Sequence, residues 1–285
     1  MIKLKRRQPN RSRMGDLGIY LILIIFGAFM VLPLVYIACH AFKPFDELLK
    51  IPPSIIVRNP TLDNFADLLV IMGESWVPFS RYIFNTVFIT AVGTAGQLLI
   101  ASMGAYVLAK YDFPGGKRFF GLVVTAIMFN GYVTQIPLYL IMARLHWIDT
   151  YLAAIIPAFA APMGLFLMKQ FMEGLPDSLI EAAKIDGAKE WGIFVKIVMP
   201  NVKPAWLTLI IFSVRDLWNN AQSTYIYSEE LKTLPYALQQ ITSTGVARTG
   251  AAAAVSLVLI IVPIAIFIFS ESNILETMAS SGLKD

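Results

Sequence analysis

The segment 171–203 has the chemistry of a docking surface rather than of a catalytic site. It contains Glu181-Ala182-Ala183, followed by Asp186 and Gly187. The carboxylates can pair with basic groups of another protein, and the alanines leave a low surface that a partner can approach closely. A pair of amphipathic helices lying on a membrane would use the same residues, and the residues alone favour neither interpretation.

Helix signals predict how this segment presents those side chains. Pro176 and Asp177 favour the start of a helix, because proline suits the first turn and acidic side chains suit the N-terminus. Gly187 suits a left-handed C-terminal cap, since glycine tolerates positive φ. A second short helix is predicted from Lys189 to Val198, ending at Pro200. Two short helices at an angle would form a compact knob.

Motifs for catalysis or metal binding are missing from the sequence. The run 115–118, Gly-Gly-Lys-Arg, lacks the upstream glycine and the hydroxyl of a phosphate-binding loop. His40 and His146 flank apolar stretches and do not cluster, and the single cysteine, Cys39, permits no internal disulfide. The sequence therefore predicts no catalytic residue, no metal ligand and no cofactor in this chain.

Membrane spans are the elements that must position these residues. The 285 residues are 57% hydrophobic and 15% charged, whereas a soluble domain is about 45–50% apolar and about 25% charged. Five uncharged stretches of 19 to 28 residues are each long enough to cross a hydrocarbon core of ~30 Å as a helix. A sixth stretch carries Arg215 and Asp216, so it must face protein or water on one side.

The predicted fold is an all-α polytopic membrane protein with six transmembrane helices and both termini in the cytoplasm. This orientation places 15 of the 23 lysines and arginines inside and seven outside, which follows the positive-inside rule and explains the basic pI without a nucleic-acid partner. The predicted parts are an N-terminal segment 1–16, a transmembrane domain 17–270 and a tail 271–285. The spans are about 17–42, 82–109, 119–142, 151–168, 204–224 and 249–270.

Two of the loops that connect these spans are long enough to contain structure of their own. The external loop 43–81 holds five prolines and is predicted to contain one short amphipathic helix from Leu62 to Met72, with a plain connector as the equal alternative. The cytoplasmic loop is the segment 171–203.

The cytoplasmic loop resembles the EAA loop of binding-protein-dependent ABC importer permeases. That pattern has E-A-A, three residues, G, nine residues and I-x-L-P, and Glu181, Gly187, Ile197 and Pro200 match it, with Met199 at the leucine position. The chain is most similar to the carbohydrate-uptake subfamily, in particular its maltose-type smaller permease. Further matches are Asn85-Thr86, 105–110, 113–115, 136–139, Trp218-Asn219, 233–235 and 282–284.

This resemblance implies that the loop is a coupling helix which docks on a cytoplasmic ATPase subunit. By position, Glu181, Ala182, Ala183, Asp186 and Gly187 would form that contact, with Glu181 paired to a basic group of the ATPase. ATP and Mg would be bound by the partner ATPase dimer. The resemblance also implies a second homologous permease subunit, an extracytoplasmic solute-binding protein, and a multi-pass location in the lipid of a prokaryotic cell membrane.

A sugar path implies hydrogen-bonding and aromatic side chains within the membrane, because the sugar hydroxyls must replace their contacts with water. Each polar residue alone is more typical of a helix–helix hydrogen bond or an interfacial aromatic side chain. The run 130–137 is more indicative, since a polar, proline-ended stretch inside a span usually lines a cavity. The candidates are Asn85, Gln97, Asn130, Tyr132, Gln135, Tyr139, Trp218 and Asn219.

Three functions are compared on this basis. The first is the permease subunit of an ATP-driven importer of sugars or oligosaccharides. The second is a permease of the same architecture for another solute, such as a phosphorylated polyol or a peptide. The third, a secondary transporter, needs acidic residues in mid-span or an inverted repeat, whereas Asp216 is the only acidic residue in a span and the two halves are not self-similar.

Overall fold

The computed structural model describes residues 13–73, 77–129, 131–221, 224–243, 245 and 248–281, and these form helices and connecting turns with no strand among them. Four helical stretches are long and apolar enough to cross a membrane: Gly15–Ala41, Phe79–Lys110, Tyr151–Glu173 and Thr249–Glu271. A fifth results if two helices that meet at 81°, Glu190–Asn201 and Lys203–Trp218, count as one span. The chain is a multi-pass, all-helical membrane protein.

Fourteen helices and two irregular turns lie in the described residues. The helices are α1 Arg13–Ala41, α2 Phe45–Leu48, α3 Asp63–Gly73, α4 Phe79–Lys110, α5 Gly116–Ile127, α6 Gly131–Arg144, α7 Tyr151–Phe159, α8 Pro162–Glu173, α9 Asp177–Ile185, α10 Glu190–Ile193, α11 Met199–Asn201, α12 Lys203–Trp218, α13 Leu234–Ser243 and α14 Thr249–Ser281. A π-helical turn, Phe194–Val198, joins α10 to α11, and a 3₁₀ turn, Glu229–Leu231, precedes α13.

The long helix α4 is the centre of the bundle and packs against α7, α8 and α12. Close approach requires small residues at the contacts. A Cβ added at Gly96 would lie 2.0 Å from the Phe159 ring, and one added at Gly164 would lie 2.7 Å from Leu209. Ala101 and Ala105 are buried on the same helix, as close-packed membrane helices favour.

Two of the predicted spans differ from the helices in the structure. The segment 119–142 is not one helix, because α5 ends at Ile127 and α6 begins at Gly131. In the segment 204–224, α12 ends at Trp218, where Asn219 donates its side-chain amide to the Arg215 carbonyl at 2.8 Å and caps the last turn. The polar cap ends the helix at a point that the hydropathy pattern does not mark.

The second short helix, predicted from Lys189 to Val198, is present as the helical stretch Glu190–Asn201, and it ends one residue after Pro200 rather than at it. It continues through the π-helical turn Phe194–Val198 into α11, which contains Pro200, and the chain then bends into α12. The wider π-helical turn directly precedes the proline, in the part of the helix where the ring needs space.

The external loop is folded rather than a plain connector. The predicted helix from Leu62 to Met72 is confirmed as α3, Asp63–Gly73. Asn64 donates its side-chain amide to the carbonyls of Ala41 at 3.0 Å and Lys43 at 2.7 Å, which satisfies the end of α1. Buried Glu47 accepts the backbone N–H groups of Arg58 and Asn59, both at 3.1 Å.

Candidate functional site

The helix α9, at the centre of the EAA segment, ends in the predicted glycine cap. Gly187 has a φ of +78°. Its N–H donates to the Lys184 carbonyl and the N–H of Ala188 donates to the Ala183 carbonyl, both at 3.0 Å, which is the Schellman arrangement. A Cβ at Gly187 would contact nothing within 4 Å, so the backbone angle alone requires glycine there.

One face of α9 packs against the body of the protein. Ile180 and Ala183 are each only 7% exposed and join a hydrophobic cluster with Met172, Ile193 and Val198. Ala183, one of the residues assigned by position to the ATPase contact, therefore turns its side chain towards the bundle and not towards solvent. The alternation of small and apolar residues could not show which alanine faces inward, because that depends on which side of α9 the bundle covers.

The opposite face of α9 is open to solvent. Glu181, Ala182 and Asp186 are exposed, as docking requires. Ile185 is 86% exposed, although an isoleucine of this kind is usually buried in a folded protein. Ile185 follows Glu181 by four positions and Ala182 by three, so the three side chains share one face. Sequence reasoning missed Ile185; the signal was an apolar residue between Lys184 and Asp186.

The N-terminal end of α9 is tied to the last turn of α4 by Lys110. Its ammonium lies 2.7 Å from the Asp177 carboxylate and donates to the Leu175 carbonyl at 2.5 Å. The Lys110 side chain is only 5% exposed, whereas that of Asp177 is 77% exposed. Lys110 is therefore held under the loop with its charge compensated, which a buried ammonium needs. We call this contact the lysine strap.

The C-terminal end of α9 is tied to α4 by Glu190. Its carboxylate accepts the hydroxyl of Tyr106 at 3.2 Å and that of Tyr111, and it lies 2.9 Å from the Lys184 ammonium. The Tyr111 hydroxyl and then the Lys184 ammonium lower the pKa of Glu190. Glu190 in turn raises the pKa of Lys184. We call this cluster the glutamate strap.

The two straps attach α9 to the same end of α4, one at each end of the short helix. Ile180 fills the space between them. These contacts at both ends set the position of the exposed face of α9 relative to the last turn of α4.

Asn85, a predicted path residue, lies in the core and not on a path. It is fully buried. Its amide N–H groups donate to the carbonyls of Glu230 and Lys232, both at 2.8 Å, and its oxygen accepts the Tyr151 hydroxyl at 2.7 Å. Since these contacts occupy the side chain, a passing solute finds no group to bind there. The local sequence could not show partners that lie 145 and 147 residues away.

Trp218 and Gln97 are also packing residues, while Asn219 has another role. The Trp218 indole donates to the Leu259 carbonyl at 2.9 Å and is 4% exposed, and Gln97 is 7% exposed. Asn219 is exposed and caps α12. Trp218 also lines an apolar cavity between α4, α12 and α14, and its polar N–H is taken by the Leu259 carbonyl.

Gln135 and Tyr139 are the two predicted path residues that the structure leaves exposed within α6. Asn130 and the side chain of Tyr132 lie outside the described residues. Beside Tyr139 lie two tyrosines that the sequence reasoning missed, Tyr225 and Tyr227. They belong to a loop with no hydropathy signal, so only the fold could bring them to α6.

The charged pair in α12 lies on an exposed surface. Arg215 Nε is 3.5 Å from the Asp216 carboxylate, with both side chains at least 70% exposed. Mutual pairing lowers the cost of placing the two charges in a membrane helix.

Comparison with known proteins agrees with this geometry. Residues 10–276 match the family described as binding-protein-dependent transport system inner membrane component. The chain is 33% identical over 264 residues to the arabinooligosaccharides transport system permease protein AraQ of Halalkalibacterium halodurans, covering 91% of this chain and 93% of that protein. It is 31% identical over 235 residues to the polygalacturonan/rhamnogalacturonan transport system permease protein YtcP of Bacillus subtilis, covering 79% and 76% of the two chains.

Solved structures show the same fold. A chain from a bacterial ABC transporter that imports the acidic polysaccharide alginate superposes with a TM-score of 0.79 at 22% identity, over 93% of this chain and 99% of that chain. A second alginate transporter structure, in complex with its saccharide-bound periplasmic protein, gives a TM-score of 0.61 at 16% identity over 90% and 93% of the chains. With the family model spanning most of its length, this chain belongs to the binding-protein-dependent transport system inner membrane components.

Proposed function

We propose that this chain is the transmembrane permease subunit of a binding-protein-dependent ABC importer for oligosaccharides, and that α9 is its coupling helix. The observation that carries the proposal is the face of Glu181, Ala182 and Ile185, an exposed surface on a helix that two straps hold against α4. Ile185 is 86% exposed and shares this face with the exposed Glu181 and Ala182, so a partner that covers the face would bury an apolar side chain beside polar ones. The matching partner is a cytoplasmic ATPase that holds the ATP and Mg, with no ATP hydrolysis on this chain.

Six spans are the natural count for this architecture. Four stretches qualify by length and composition, and the bent pair ending in α12 gives a fifth. We propose that α5 and α6 together form the sixth, as a broken helix whose first half ends at Ile127 and whose second half begins at Gly131. Both termini and α9 would then lie in the cytoplasm, where the positive-inside rule places them.

The solute class follows from the relatives rather than from the site. The similar proteins AraQ and YtcP carry names of oligosaccharide or pectin-type transport systems, so the substrate proposed here is an oligosaccharide delivered by an extracytoplasmic binding protein. A second, homologous permease would complete the path.

Replacement of Ile185 by aspartate tests the coupling surface. Full burial of an isoleucine is worth about 1.5–3 kcal/mol, and a carboxylate in an apolar socket costs more. We expect Ile185→Asp to weaken ATPase binding at least about tenfold and to abolish ATP-driven uptake, with the fold intact. The measurements are ATPase co-purification with the permease pair and uptake of labelled arabino- and galacto-oligosaccharides into proteoliposomes.

Ile56→Asp is the matched control, because Ile56 is 76% exposed but lies in the external loop. It should leave ATPase binding unchanged. Normal ATPase binding and uptake in Ile185→Asp would overturn the coupling assignment. Uptake of a peptide or polyol phosphate, and of no saccharide, by the wild-type complex would overturn the solute class alone.

A further inference from the structure

Three tyrosines meet where α6 approaches the loop that follows α12. The rings of Tyr139 and Tyr225 are stacked with centroids 6.3 Å apart and an interplanar angle of 26°. The hydroxyls of Tyr139 and Tyr227 lie 3.5 Å apart. Tyr227 is 57% exposed and Tyr139 is 37% exposed. We call this group, Tyr139, Tyr225 and Tyr227, the tyrosine cluster.

The loop that carries Tyr225 and Tyr227 is fixed by Asp149. The Asp149 carboxylate accepts the N–H groups of Tyr227 at 2.9 Å and Ser228 at 2.8 Å, together with the Ser228 hydroxyl. Its own N–H donates to the Tyr225 carbonyl at 2.9 Å. Asp149 has a φ of +61°, a conformation that costs a non-glycine residue free energy and is retained only where surrounding contacts enforce it.

The cluster adjoins the polar face of α6 that was predicted to line a path. Gln135 and Tyr139 are one helical turn apart and therefore share a face. The Tyr225 hydroxyl donates to the Gln135 carbonyl at 3.5 Å. In the proposed orientation this end of α6 and the loop after α12 lie on the extracytoplasmic side, where the solute enters.

The chemistry of the cluster suits a neutral, hydroxyl-rich ring. Aromatic faces pack against the C–H faces of a pyranose or furanose, and phenol hydroxyls can both donate to and accept from sugar hydroxyls. The hydrogen bond with Tyr139 raises the pKa of Tyr227, and burial raises that of Tyr225, so both phenols keep their protons. Asp149, the nearby charge, is already satisfied by three donors.

An interfacial aromatic belt is the ordinary explanation for exposed tyrosines in a membrane protein. The belt needs only single rings that face lipid. It does not account for two tyrosines that both contact Tyr139, or for Asp149, which has a positive φ and hydrogen-bonds to the backbone of both. These features are typical of a preorganised binding surface.

We propose that the tyrosine cluster is a saccharide contact at the extracytoplasmic entrance of the path, which receives a sugar ring from the binding protein. This site rests on the proposed function, because it assumes that the solute is an oligosaccharide. Tyr227, the most exposed ring, makes the first contact, and Tyr139 leads the sugar along α6.

The test uses the whole complex in proteoliposomes, with its binding protein and a labelled arabino- or galacto-oligosaccharide. The quantity measured is the number of sugar molecules imported per ATP hydrolysed at saturating binding protein. We expect Tyr227→Ala and Tyr139→Ala each to lower this ratio about threefold to tenfold, since an aromatic contact is worth ~0.5–1.5 kcal/mol. Tyr227→Phe keeps the stacking face and should lower it less.

Tyr20→Ala is the matched control, because Tyr20 on α1 is 60% exposed but far along the chain from the cluster; it should leave the ratio unchanged. An unchanged ratio in both Tyr227→Ala and Tyr139→Ala would overturn the proposal in favour of a lipid-facing belt. Loss of the second permease on purification would overturn it in favour of a subunit interface. Failure of the wild-type complex to import any saccharide would instead refute the proposed function.

Discussion

The two ends of α4 are held by different chemistry. At the Lys110 end, the groups that attach α9 lie largely at the surface, with the side chains of Asp177 77%, Glu190 55% and Lys184 43% exposed. At the Phe79 end, Asn85 and Lys232 are almost completely buried and donate to backbone carbonyls of the 226–232 loop. The Lys110 end combines exposed ion pairs and phenols with one buried ammonium, that of Lys110, whereas at the Phe79 end both donors are buried.

We infer from this difference that the Lys110 end of α4 can change its contacts at a lower cost in free energy than the Phe79 end. Exposed ion pairs contribute little each and can be re-formed in a second arrangement. A buried donor without its acceptor costs far more, so the Phe79 end has one stable arrangement. Burial lowers the pKa of Lys232. Its ammonium also lies 4.1 Å from the centre of the Tyr236 ring, and this contact further holds Lys232 in place at the Phe79 end. The proposed coupling helix thus sits at the adjustable end of a helix whose other end is fixed.

Removal of the Asn85 amide should have the largest effect on stability. Asn85→Ala removes the donor to the buried Lys232 carbonyl and the acceptor of the half-buried Tyr151 hydroxyl, while the Glu230 carbonyl keeps Arg81 Nε as a donor. An unsatisfied buried group costs about 1–3 kcal/mol, so we expect a loss of about 2–3 kcal/mol. Thermal unfolding of the detergent-solubilised chain measures this loss. Asn219→Ala is the control, since Asn219 is exposed and makes one bond to its own helix. Equal effects of the two substitutions would contradict the conclusion that the buried contacts of Asn85 hold the Phe79 end of α4.

Replacement of Gly187 should have an intermediate effect, confined to the adjustable end. Gly187→Ala meets no steric obstacle, so the cost is that of holding alanine at a φ of +78°, about 1–2 kcal/mol. Gly187→Asn should cost less, because asparagine tolerates this conformation better. Hydrogen exchange of the 181–190 amides measures the loosening of the α9 cap. Loosening that spread to the 226–232 loop would show that the two ends are not independent.

The sequence predicted features set by local chemistry and missed those set by distant contacts. The glycine cap at Gly187 and the helix α3 are confirmed, since both follow from residue types within a few positions. Ile180 and Ile185 look alike in sequence, yet one is buried and the other 86% exposed, because α4 and the loop cover only one face of α9. The residues of the solute path were harder to predict than either. The polar group of Asn85 and the ring of Trp218 serve contacts inside the bundle, and hydropathy cannot separate that role from solute binding.

The smallest expected effect is the contribution of the glutamate strap to stability, which can be tested by its dependence on pH. The pKa of Glu190 is lowered on folding, so its contribution to stability is complete above its unfolded pKa of about 4.5 and is lost as the pH falls through the lower folded value. Because Glu190 is half exposed, we expect this contribution to be at most about 1 kcal/mol. The stability difference between wild type and Glu190→Gln should therefore be constant from pH 6 to 8 and shrink below about pH 4.5.

Asp112→Asn supplies the comparison, since it removes a carboxylate from the exposed turn after α4 without touching Tyr106, Tyr111 or Lys184. Urea unfolding monitored by tryptophan fluorescence, repeated across this pH range, resolves the two variants. If the Glu190→Gln difference persisted unchanged at pH 3.5, the carboxylate charge would not be what holds the strap. The attachment of α9 would then depend on the lysine strap and on the packing of Ile180 and Ala183.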